Sequence, residues 1–146
     1  MLHLQGSQDF SKPAAEVWAK VSDARELAPC LPGVETVRQA DADLAVCVIR
    51  PGFSFVRGTL EVTLRVMERV PDRLLRLQIN GKGIGSTTEV SAVLNLEPRD
   101  GGSRVQWTAD VTLGGLLRAV PSGLIQAAAQ KVIGDAWAAV AVKVSG

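Results

Sequence analysis

Tyrosine is absent from the 146 residues, and histidine occurs once, at His3. General acid–base catalysis needs a titratable group within reach of substrate, so these absences remove common candidates. Cysteine is nearly as scarce. Cys30 and Cys47 do not form a C-x-x-C pair, and one histidine leaves no partner set for a zinc site. Cys47 sits in the apolar run Ala45-Val46-Cys47-Val48-Ile49, where a buried thiol behaves as a small hydrophobe. Cys30 has neither a histidine nor a basic residue beside it to activate it. No run approaches the roughly 20 apolar residues that span a bilayer. The start, Met1-Leu2-His3-Leu4-Gln5, lacks the basic flank and long apolar stretch of a signal peptide, so a cytoplasmic protein is expected. Charge is never gathered into a block. With 16 basic and 15 acidic side chains the net charge is +1, which argues against an electrostatic nucleic-acid surface. Repeats, low-complexity tracts and linkers are missing too, and residues 1–146 read as one domain.

What the chain has is alternation. Val105, Trp107, Ala109, Val111 and Leu113 interleave with Arg104, Gln106, Thr108, Asp110 and Thr112. A strand with one buried and one wet face requires this period of two. The same pattern gives Leu60, Val62, Leu64 and Val66, then Leu75, Leu77 and Ile79, then Val90, Ala92, Leu94 and Leu96. None of these buried sets holds a carboxylate, histidine, cysteine or lysine. The shared inner surface therefore offers apolar volume, which argues for binding a greasy molecule before it argues for chemistry.

An opening strand runs from Leu2 to Phe10, placing His3 on its outer face. Ser11 is the expected N-cap of a short helix with Pro13 in its first turn, its apolar face being Ala14, Val17, Trp18 and Val21. Asp23 is placed to cap a second short helix, Ala24 to Cys30, which Pro32-Gly33 ends. Further strands are expected near Val34 to Arg38, Leu44 to Arg50 and Phe53 to Met67, with turns at Pro71-Asp72 and Asp100-Gly101-Gly102. From Gly115 to Val144 the period changes. Ile125, Ala129, Val132, Ala136 and Val140 form a helical stripe, with Gln126, Gln130, Lys131 and Asp135 mostly away from it. Pro121 should break or begin that helix, with Ser122 as its N-cap. Gly81, Gly83 and Gly85 look superficially like a nucleotide fingerprint, but they lead into another alternating strand, so a hairpin or bulge is expected instead.

The order of strand, two short helices, six strands and long C-terminal helix resembles the helix-grip arrangement of START-like proteins. That class is α+β, with a curved antiparallel sheet of about seven strands wrapped around the last helix; the curvature is implied by the resemblance. More narrowly, Pro13 with Val17-Trp18, then Asp23, Leu27 and Cys30-Leu31-Pro32-Gly33, resemble the opening signature of the G-subunit family of carbon monoxide dehydrogenase. Val56-Arg57-Gly58, the glycine-rich Gly81-Lys82-Gly83-Ile84-Gly85-Ser86 and Gly114-Gly115-Leu116 also resemble that family. Some of its members carry a further C-terminal membrane-binding tail, whereas this sequence stops at Gly146.

The resemblance implies a non-enzymatic accessory protein of carbon monoxide dehydrogenase or a related molybdenum hydroxylase, with possible peripheral contact at the inner face of the cell membrane. An apolar cavity would suit a quinone or lipid. The expected lining is Leu64, Leu77, Leu94, Trp107 and Ala109 from the sheet, with Ile125, Ala128 and Ala129 from the helix. Gln8, in phase with Leu4, and the Trp107 indole N–H are candidate polar contacts. Phe53, Phe55, Leu31, Leu116 and Leu117 are candidate rim residues. Leu116 and Leu117, beside Arg118, could touch a membrane or a partner, or fold down as a lid. No catalytic residue, cofactor or metal is expected. Two other readings stay open: an enzyme like the START-like polyketide cyclases and hydrolases, or an assembly chaperone without a ligand.

Overall fold

The computed structural model describes residues 2–53, 58–83 and 85–145. Strand β1 (Leu2–Phe10) leads into helices α1 (Ala14–Val21) and α2 (Ala24–Leu27), the latter continued by a 3-10 turn at Ala28–Cys30. Strands β2 (Val34–Ala40), β3 (Leu44–Ile49), β4 (Leu60–Val70), β5 (Leu74–Gly83), β6 (Ser86–Arg99) and β7 (Gly102–Gly115) follow. A 3-10 turn at Leu116–Ala119 then joins the sheet to helix α3 (Ser122–Ser145). All seven strands form one curved antiparallel sheet in the order β1-β7-β6-β5-β4-β3-β2. The long hairpins from β4 to β7 supply its centre, and β1 returns to pair with β7 along Leu2–Phe10.

Period-two alternation sorts the faces as expected. Val105, Ala109 and Val111 are buried, whereas Gln106, Asp110 and Thr112 are exposed. One wall of the interior is a continuous cluster that joins Val17, Val21, Ala24 and Ala28 to Leu64, Leu75, Leu77, Leu94, Leu96 and Val105, closed by Val140 and Val144 of α3. Leu64 and Leu75 are 2% and 0% exposed; each such side chain contributes about 1.5–3 kcal/mol on burial. Trp137 meets Phe10 edge to face, with ring centroids 6.2 Å apart. Lys143 ties the end of α3 to α2, its Nζ lying 2.8 Å from Glu26 Oε2 and donating to the Glu26 carbonyl at 2.9 Å.

Three local expectations need correction. Strand β4 begins at Leu60, two residues after Gly58 with its positive φ; of the expected start at Phe53, residues 54–57 lie outside the described residues. Ser11 does not cap α1; Pro13 occupies the N-cap position, and its carbonyl accepts from the N–H groups of Glu16 and Val17. Ser122 is the first residue of α3 rather than its flank, because Leu124 and Ile125 N–H reach back to the Pro121 carbonyl. Asp23 does cap α2, accepting from Arg25 N–H at 2.9 Å.

Candidate functional site

Chain direction puts the two halves of α3 in different surroundings. The helix starts where β7 ends, at Gly115, and runs back toward Phe10 and the α1–α2 pair. At its far end Val140 and Val144 are buried. Near its start the same inward face stays open: Ile125, Ala128, Ala129, Val132 and Ile133 are only half-buried. Eighteen residues make five full helical turns, so Gln126 lies in phase with buried Val144, yet Gln126 is exposed. Burial along α3 is therefore uneven, deep at Val140 and Val144 and shallower toward its start.

The inner face of the sheet is built from cross-strand rows. Ala109 stands between Leu4 and Ala92, and Ala92 pairs on with Leu77. The next row runs Val111, Val90, Ile79, Leu64, Ala45, and the one after it Leu113, Thr88, Gly81, Val62, Cys47. Small residues recur in these rows at Ala92, Ala109 and Gly81, and on α3 at Ala128 and Ala129. Leu4, Ala109, Val111 and Leu117 are buried but belong to neither of the two tightly packed clusters. Gly81 and Gly83 sit within β5, and their lack of side chains is a matter of space. A Cβ on Gly81 would lie 2.6 Å from Thr88 Oγ1, and one on Gly83 would lie 2.5 Å from the Thr59 carbonyl.

The expected lining residues fall into three groups. Leu64, Leu77 and Leu94 come together, but in the cluster that α1 and the end of α3 cover. Trp107 is half-buried beside that cluster; its ring lies over Gly6, where an added Cβ would approach Cζ2 to 2.7 Å. No hydrogen bond is made by its indole N–H among the described residues. Gln8 is half-buried and donates to the Asp9 carbonyl at 3.3 Å. Ala109 and Leu117 are buried outside both clusters, and Ile125, Ala128 and Ala129 are half-buried on α3.

Around the rim, Leu117 is 6% exposed and Leu116 66%, so the two leucines point opposite ways. Leu116 N–H donates to the Gly85 carbonyl at 3.0 Å, pinning this turn to the β5–β6 hairpin. Arg118 Nε donates to the Leu113 carbonyl at 3.2 Å. Leu31 packs against a second cluster of Cys47, Leu60 and Val62. Phe53 is half-buried, and Phe55 lies outside the described residues. A helical stripe phased on Ile125 and Ala129 leaves Gln126 out; phasing on Val144 brings it in. Thr88 escapes an alternating set that begins at Val90.

Titratable chemistry lies elsewhere. His3 Nδ1 is 2.6 Å from Asp110 Oδ1 on the exposed outer face. Burial pushes both cysteine thiols up, and the Cys30 thiol donates to the Glu26 carbonyl at 3.4 Å. Among the described residues no three histidine, cysteine or carboxylate side chains are grouped to hold a metal. Two surface hollows are polar: one of about 390 Å³ on the outer face of β4–β6, lined by Glu61, Arg65, Asn80 and Lys82 among others, and one of about 680 Å³ by Asp9, Arg99 and Arg104. No helix among the described residues is long and apolar enough to cross a membrane.

A curved sheet gripping a long C-terminal helix over an apolar floor defines a START-like protein. Solved structures share this fold. A conserved protein from Geobacillus kaustophilus is 22% identical with a TM-score of 0.89, over 99% of this chain and 95% of that one. A START superfamily protein from Mycobacterium smegmatis is 10% identical with a TM-score of 0.72, over 98% and 97%. Within that class the chain belongs to the carbon monoxide dehydrogenase G-subunit (CoxG) family, whose model matches residues 6–145. No curated protein matches the sequence.

Proposed function

We infer that this protein is a non-enzymatic accessory of a carbon monoxide dehydrogenase or related molybdenum hydroxylase, and that it binds a lipophilic molecule, a quinone or a lipid, in a cleft under the first half of α3. One observation carries the reading: the inward face of α3 is apolar apart from Gln126, yet only Val140 and Val144 on it are buried among the described residues. Apolar surface left open on one side and buried on the other gains about 25 cal/mol per Å² when a ligand covers it. Ala109, Leu117, Ile125, Ala128 and Ala129 supply that surface. Gln126 and Thr88 supply groups able to orient a carbonyl or hydroxyl. Trp107 and Gln8 stand further along the same inner face. Leu31, Phe53 and Leu116 belong to the rim in this reading, with Leu116 the side chain offered to a membrane surface at the inner face of the cell membrane. The family supports the partner, and inner rows made up without carboxylate, histidine or lysine support binding over catalysis.

The test is organic extraction and mass spectrometry of protein purified from its native host, followed by titration with menaquinone and ubiquinone. A stoichiometric quinone or lipid is the expected result. Protein that comes out empty and binds neither quinone would overturn the ligand and leave an adaptor.

A further inference from the structure

The outer face of α3 has a composition its own fold does not call for. Leu124, Ala127, Lys131, Gly134, Asp135, Ala138 and Val142 fall within about 60° of one line along the helix, and all are exposed. Leu124 is 54% and Val142 74% exposed. A solvent-facing helix surface ordinarily carries mostly polar residues, yet here the charged residues are only Lys131 and Asp135. Gly134 sharpens the anomaly. A Cβ there would meet nothing within 4 Å, so the fold does not need glycine, while mid-helix glycine costs about 1 kcal/mol relative to alanine.

We propose that this face is the contact between two copies of the chain, with the two α3 helices packed antiparallel about a twofold axis at the level of Ile133. That axis sets Leu124 against Val142 of the second copy and Lys131 against Asp135. Each contact is repeated on the other side, as an isologous interface requires. The charge pattern selects the arrangement. Lys131 and Asp135 are paired within one helix at 3.0 Å. Across the axis each ammonium also meets the other copy's carboxylate, giving four charges of alternating sign, whereas a parallel pair in register stacks like on like. Gly134, one residue from the axis, lets the backbones approach. From Leu124 to Val142 the contact spans about 27 Å. One helix pair falls short of the roughly 800 Å² per partner of a standard interface, so a reversible, concentration-dependent dimer is expected.

Sedimentation of the full chain from about 10 µM to about 1 mM covers the range in which an interface of this size would populate. Wild type should shift from monomer to dimer across it, with weaker association at high salt. Lys131→Asp and Asp135→Lys each place like charges across the axis and should remain monomeric. Mixed in equal amounts, those two variants should associate, because each supplies the sign the other lacks. Pairing within one helix cannot produce that rescue. Gly134→Leu should also be monomeric while melting no lower than wild type, which separates a lost contact from a lost fold. A wild type that stays monomeric throughout overturns the proposal, as does a dimer that survives both charge variants. So does a monomer whose α3 face is instead protected by lipid vesicles or by the partner enzyme.

Discussion

Among the charged side chains, Glu26 carries a role beyond solubility. It is half-buried on α2, and Lys143 from the end of α3 lies against it at 2.8 Å. That ammonium, through its hydrogen bond first and its charge second, holds the Glu26 carboxyl below the usual 4.5. A carboxyl with a depressed folded pKa adds stability that is complete above its unfolded value and lost as the pH falls through the folded one. The melting temperature of wild type should therefore exceed that of Glu26→Gln near neutral pH, and the gap should close as the pH drops below about 4.5. A gap that stays constant down to strong acid would show that the pair contributes nothing to the tie between α2 and α3. Cys30, in the same corner, is expected to stay inert, since burial raises its thiol and its Sγ already faces the Glu26 carbonyl.

At the scale of elements, the sheet is the readable part and the junctions are not. Strands β6 and β7 announce themselves because their inner residues see only apolar neighbours, so the alternation runs unbroken from Val105 to Leu113. The start of β4 is hard to place from sequence because Phe53 and Phe55 suit a strand by propensity, whereas Leu60 follows a positive-φ Gly58 that no alternation signals. Arg69 shows a junction invisible to local pattern. A register shift between Val66 and Glu68 pairs it with buried Leu75, on the inner face of β4, and from there it donates through Nε to the Ser22 carbonyl at 2.9 Å, and through its other nitrogens to Asp43 Oδ1 and the Ala42 carbonyl. One guanidinium thus joins the end of α1, the β2–β3 turn and β4. Arg69→Ala should cost about 1–3 kcal/mol, as for a hydrogen bond to a charged group. Arg69→Lys should fail to restore it, because a single ammonium cannot reproduce a planar fork aimed at three acceptors. Chemical denaturation reads both, and full recovery with lysine would reduce the clamp to simple charge.

On the scale of the whole molecule, the sequence conveys which side chains face inward but not which of them meet a partner there. Leu64, Leu77 and Leu94 share their phase with Ala109, and Leu77 shares its cross-strand row, yet the leucines belong to the cluster covered by α1 and the end of α3 and Ala109 does not. Phase is a property of one strand; occupancy depends on where a helix distant in sequence comes to rest. The alanines of α3 make that difference measurable. Ala129 is half-buried, and in the proposed ligand site it lies over the small residues Ala92 and Ala109. If apolar space lies beneath it, Ala129→Trp fills the cleft: the melting temperature holds or rises, and quinone or lipid binding is lost. If the helix already packs down there, the same substitution overfills the core and costs about 1–3 kcal/mol. The paired readout of melting and ligand binding separates the two. Loss of stability would favour a solid interior and the assembly-chaperone reading, whereas stable protein that no longer binds would place the ligand under the first half of α3.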